Sequence, residues 1–118
     1  MSNFKKSREE SEAIVGVIAQ VIEDRWGRQI LPEGDSPAEV LQREAMVKAL
    51  IRDTNPAWAW REALEYLVVE GTGHGKPPRF GDVKERVSSF LRDPKYPRRQ
   101  ELLKWHQDRK SEQLGYRV

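Results

Sequence analysis

The sequence predicts an all-α fold, a compact bundle of four to five short amphipathic helices, and three observations predict it. Apolar residues recur at intervals of three and four along most of the chain. Proline and glycine punctuate it at helix-sized intervals. The sustained period-two alternation of strands is missing; Tyr66-Leu67-Val68-Val69 is strand-like in composition but continues a helical pattern equally well.

The first helix opens at Ser7-Arg8-Glu9-Glu10, a capping-box sequence, and places Ile14, Val17, Ile18, Val21, Ile22 and Trp26 on one face before Gly27 ends it. Glu12, Gln20 and Glu23 lie opposite. A connection with Pro32 and Gly34 leads to Ser36-Pro37-Ala38-Glu39, which supplies an N-cap, a proline in the first turn and an early acid. Val40, Leu41, Val47, Leu50 and Ile51 form the expected apolar face of the second helix, with Ala45 and Met46 beside it. Asn55-Pro56 repeats the cap-plus-proline logic, and Ala57, Trp60, Leu64, Leu67 and Val68 follow until Gly71. A flexible link, Gly71 to Pro78, ended by a rigid Pro-Pro corner, precedes a fourth stripe of Phe80, Val83, Val87, Phe90 and Leu91, which must end before Pro94. A fifth, weaker helix starts at Pro97 and carries Leu102, Leu103 and His106, with 111–118 expected to fray. The organisation is a helical domain over 1–93 and a basic C-terminal helix and tail over 94–118. Periodicity leaves open whether that helix packs on the same domain.

Composition narrows the function. The chain has 118 residues, 34% of them charged, no cysteine and a formal net charge of +2. Without cysteine there is no disulfide framework and no thiolate metal site. No stretch approaches the roughly 18 apolar residues of a membrane span, and the first twelve residues lack an apolar leader core, so a cytoplasmic protein is expected, with no membrane partner. The small net charge hides an asymmetry. Residues 1–60 hold 8 Lys and Arg against 10 Asp and Glu, and residues 61–118 hold 13 against 9. A basic end favours anionic partners, although a solvated helix face accounts for such a surface equally well.

Catalytic and cofactor motifs fail on their own terms. Gly71-Thr72-Gly73-His74-Gly75-Lys76 invites a phosphate-loop reading, but Glu70 stands where the loop needs its first glycine and Pro77 where it needs a magnesium-binding hydroxyl. His74 and His106 are not at metal-ligand spacing, and Ser88-Ser89 has no histidine partner nearby. No cofactor, metal or catalytic residue is assigned, and the expectation is a non-enzymatic protein. Trp26 and Trp60 fall in register with their stripes and are expected in the core. Trp58 and Trp105 fall off theirs, as partner anchors or as covers of a neighbouring helix. The residues nominated for a partner or nucleic acid are therefore Lys76, Arg79, Arg98, Arg99, Lys104, Trp105, Arg109 and Lys110, a ring among cations that suits stacked bases and phosphates or an acidic partner helix.

The layout from Ala45 to Val87 carries a resemblance. An amphipathic helix ends at Leu50-Ile51, a short break follows, an aromatic-and-alanine helix holds Ala57, Trp60, Ala63 and Leu64, and Lys76-Pro77-Pro78-Arg79-Phe80-Gly81-Asp82-Val83 opens the next. Over about a third of the chain this resembles the small replicative-helicase loaders of bacteriophages and Gram-positive bacteria. Their corner reads Phe-Pro-Pro-Thr, then an aliphatic and an acid before another aliphatic. Pro77-Pro78, Asp82 and Val83 match, whereas Lys76 replaces the phenylalanine and Arg79-Phe80-Gly81 intervene. The resemblance implies a replication accessory protein that binds a replicative helicase and delivers it to origin or single-stranded DNA, with the helicase contact mapped loosely onto 98–118. From the residues alone, a free-standing nucleic-acid-binding module and a small inhibitor or adaptor of a host protein remain open.

Overall fold

In a computed structural model that describes residues 5–114, the chain forms α1 (Arg8–Trp26), α2 (Pro37–Arg52), α3 (Ala57–Glu70), α4 (Phe80–Ser89), a 3₁₀ turn (Phe90–Arg92) and α5 (Arg99–Leu114). The fold is all-α, a small bundle, and among the described residues there is no strand. Residues 115–118, the end of the segment expected to fray, lie outside the described part; residues 111–114 are helical.

The caps act largely as the sequence requires. The Ser7 hydroxyl accepts from the Glu10 N–H at 3.0 Å, and that of Ser36 accepts from the Glu39 N–H at 3.3 Å. Gly27 ends α1 in the left-handed region at φ 73°, where its N–H reaches the Glu23 carbonyl. Three expectations shift. Asn55 does not cap α3: Pro56 occupies the cap position without a side-chain bond, and Asn55 has another partner. The fifth helix starts at Arg99, because Pro97 sits in a turn closed by the Arg99 N–H on the Tyr96 carbonyl. The Gly71–Pro78 loop is not a loose link. Gly71, Gly73 and Gly75 adopt positive φ, the Thr72 hydroxyl donates to the Lys76 carbonyl at 2.9 Å, and Pro78 is buried.

One apolar core joins Val15, Ile18 and Ile22 of α1, Met46, Val47 and Leu50 of α2, Ala59, Trp60, Ala63, Leu64 and Leu67 of α3, Val83 and Val87 of α4, Phe90 of the 3₁₀ turn and, as its one member from α5, Leu102. Its closest associations are α3 on α4 and α1 on α2. Ala59 and Ala63 are fully buried and let neighbouring backbones come close, and Trp60, 1% exposed, stacks on Phe80 at 5.7 Å. Phe90 stacks on Tyr96 at 3.9 Å and closes the lower edge. Trp26 sits at the rim, half-buried under the Arg25 guanidinium.

Two stripes are rotated from their expected phase. On α1, Val15 and Ala19 are buried while Val17 is 56% exposed. Residues 13–19 include six aliphatic side chains, alanines counted, so several helix faces were apolar enough to be the inner one. On α2, Val40 and Leu41 face outward, Leu41 being 70% exposed. The inner face there continues from Met46, Val47 and Leu50 back through Arg43 and Glu39, which are polar because they hold the 28–36 connection. The Arg43 guanidinium donates to the Pro32 and Gly34 carbonyls at 2.7 and 2.6 Å, and Glu39 accepts from the Gly34 N–H at 3.0 Å.

Candidate functional site

α5 is the element that sequence patterning described least, and its attachment organises the candidate site. Its only fully buried apolar side chain among the described ones is Leu102. Leu103 and Trp105 are half-buried beside it, and the polar contacts that tie α5 down fall into two groups, one of them at the break between α2 and α3.

Asp53 ends α2 and folds the chain back in an Asx turn, its Oδ2 accepting from the Asn55 N–H at 2.9 Å. The same oxygen accepts from the Trp60 indole N–H at 2.8 Å and the Lys6 ammonium at 3.2 Å, while Oδ1 accepts from the Asn55 side-chain amide at 3.0 Å. The remaining Lys6 donors reach the carbonyls of Asp53 at 3.0 Å and Asn55 at 2.6 Å. Lys6 is 4% exposed. Burial pulls its pKa below the ordinary lysine value, and the attraction of Asp53 and Glu10 opposes that pull. With three acceptors on three donors it is held as the cation.

The exposed edge of this hub receives α5. The Trp105 indole N–H donates to the Thr54 carbonyl at 2.8 Å, and His106 Nε2 lies 3.0 Å from the Asn55 side-chain oxygen. Because the Asn55 amide nitrogen faces Asp53, its oxygen faces His106 and the imidazole donates through Nε2–H. Burial lowers the His106 pKa, Arg109 and Lys110 push the same way, and Asp53 opposes them, so the ring is neutral at pH 7.

A second clasp holds the start of α5. The Arg98 guanidinium lies 3.7 Å over the Trp58 ring, pairs with Glu101 at 2.7 Å and also pairs with Glu62. The Tyr96 hydroxyl donates to the other Glu62 oxygen at 2.7 Å, and burial together with that carboxylate raises the phenol's pKa. Trp58 and Trp105 thus lie along the seam between α5 and the body as covers, and their polar edges and faces are engaged there.

The eight nominated residues separate accordingly. Arg98 is engaged with Glu62, Glu101 and Trp58, and Arg99 donates to the Leu91 carbonyl at 2.8 Å. Trp105 is bonded to the 53–55 turn. Lys104 is exposed but paired with Asp108 at 2.7 Å, and Arg109 is half-buried one turn beyond Trp105. Lys110, and Lys76 and Arg79 of the α3–α4 loop, are exposed and in no ion pair among the described residues. The structure therefore brings Arg98, Arg99, Trp105 and Arg109 together as a seam, and leaves Lys76 and Arg79 on a different element.

Sequence reasoning missed the Lys6, Asp53 and Asn55 hub. Its available signal was Asp53-Thr54-Asn55-Pro56, an Asx-turn composition at a helix end. It also missed a concavity of about 540 Å³ along α2, closed on the α4 side by Lys84 and lined by Leu41, Glu44, Ala45, Lys48, Ala49 and Arg52 among others. Among the described residues no group of three or more His, Asp or Glu side chains is disposed to hold a metal ion, and no helix is long and apolar enough to cross a membrane. Compared with known proteins, the chain matches no family model, no curated protein and no solved structure.

Proposed function

We propose that this is a non-catalytic accessory protein of DNA replication that binds a replicative helicase and presents the distal half of α5 as the contact. The observation that supports partner binding is α5 itself. It continues as a helix to Leu114, beyond its fastenings at Leu102, Trp105 and His106, and Gln107, Asp108, Lys110, Ser111 and Glu112 are exposed. Helices this short are marginal in water without packing, so a helical extension offers a preformed surface to a partner. A radius of gyration of 15.6 Å, against about 13.5 Å for a compact chain of this size, is that of an extended, flattened molecule with a broad surface. The helicase as partner rests on the resemblance of the Ala45 to Val87 layout.

The test is size-exclusion chromatography with light scattering on a mixture of the protein and the replicative helicase of its native host. A complex of defined stoichiometry is expected, weakened about tenfold by Lys104→Glu with Lys110→Glu. Absence of a complex at micromolar concentrations removes the helicase reading.

A second reading, direct binding of single-stranded or origin DNA, is favoured by the unpaired exposed cations Lys76, Arg79 and Lys110. It predicts an affinity for labelled oligonucleotide that falls steeply with salt and a shallower slope when those three are neutralised. The engagement of Arg98, Arg99 and Trp105 within the seam speaks for the protein partner.

A further inference from the structure

We propose that the concave face between α2 and α4 is a docking groove for an acidic amphipathic helix of a partner protein. The proposal is independent of the helicase reading and of the α5 surface.

Charge carries the first part. Lys48 and Arg52 of α2 and Lys84 of α4 line the groove, all exposed and none in an ion pair among the described residues. The two carboxylates in the same lining are already neutralised from behind. Glu44 is paired with Arg8, which together with the attraction of Lys48 and Arg43 holds its carboxyl below the usual range, and Asp53 is paired with Lys6 at 3.2 Å. The groove therefore presents net positive charge even though the first half of the chain is acidic in sum.

Shape carries the second part. Leu41, Ala45 and Ala49 recur every four residues and form an apolar floor, with Leu41 70% exposed at one end and two small side chains beyond it. Small residues let a second helix approach closely, and the twelve positions from Leu41 to Arg52 span about 17 Å, three turns of a partner helix. An apolar floor with a cationic rim matches a helix with leucine-type residues on one face and acids flanking them. Nucleic acid fits less well, because no aromatic side chain lines the groove to stack a base and the floor offers phosphate nothing.

The probes are a fluorescein-labelled helical peptide of leucines at four-residue spacing flanked by glutamates, the same peptide with lysine for glutamate, and a single-stranded oligonucleotide. Anisotropy gives affinity and amide chemical shifts give location. The acidic peptide is expected to bind, with shifts concentrated over 41–54 and around Lys84. Lys48→Glu with Arg52→Glu and Lys84→Glu should weaken it about tenfold, and Leu41→Asp alone several-fold. Arg92→Glu with Lys95→Glu, reversals elsewhere on the surface, should leave it unchanged. All variants alter exposed side chains, and their far-UV circular dichroism should match the parent. The proposal is overturned if the acidic peptide does not bind, if the lysine peptide binds as well, if the groove variants bind it equally, or if the oligonucleotide binds more tightly and shifts the same amides.

Discussion

The body of α1 to α4 and the helix α5 are held by different physics. In the body, thirteen apolar side chains from four helices share one core, and polar contacts serve mainly as caps and loop staples. At α5 a single leucine is buried, and attachment depends on two polar clasps, one on Glu62 and Trp58 and one on the Asp53 to Asn55 turn. Apolar contact is non-directional and tolerates small shifts, whereas each hydrogen bond of a clasp is lost within a fraction of an ångström. The body is thus a scaffold, and α5 is an appendage whose attachment can be loosened without dissolving that scaffold.

Substitutions at the junction test this contrast most severely. Asp53→Ala strips the counterion from buried Lys6 and the acceptor from Trp60 and Asn55 at once, so chemical denaturation should show a loss of about 3 kcal/mol or more. A loss below 1 kcal/mol would mean that the hub is ornamental to the body. Leu102→Ala should cost about 2 to 3 kcal/mol, expressed locally: amide protection should vanish in α5 and persist in α1 to α4. Uniform loss of protection across the chain would show that α5 belongs to one cooperative unit with the body.

The pH response is smaller and has a defined sign. His106 has a folded pKa below its unfolded one, so the detached state binds the proton more tightly. Its contribution is complete above about pH 6.5 and declines as the pH falls from there through the folded value. Arg109 and Lys110 on α5 and Asp53 across the seam are the charges that act on it. Hydrogen exchange in α5 should accelerate between pH 7 and pH 5, and His106→Gln should flatten the response. Smallest of all, Lys104→Ala breaks an exposed pair with Asp108 and should change the melting free energy by less than about 0.5 kcal/mol.

The stripes of α3 and α4 were legible because each has a single apolar face, and the Pro77-Pro78 corner was legible because proline restricts its own φ and the residue before it. The phase of α1 was not, since its aliphatic residues cover more than one face, and neither was that of α2, whose inner face is partly the polar staples Glu39 and Arg43. Among the candidate site residues, exposure and pairing are tertiary properties. Arg98 and Lys110 look alike in the sequence, yet one is clasped by Glu62, 36 positions away, and the other stands free of ion pairs among the described residues.

By itself the sequence determined an all-helical chain, the number of its helices to within one and most of their ends, because capping, proline geometry and apolar period act within a few residues. Only the tertiary structure decided which cations remain uncompensated, that Lys6 is buried and that α5 is fastened by polar contacts. Those outcomes depend on charges and acceptors brought together from 34 or more positions apart, which no local pattern encodes.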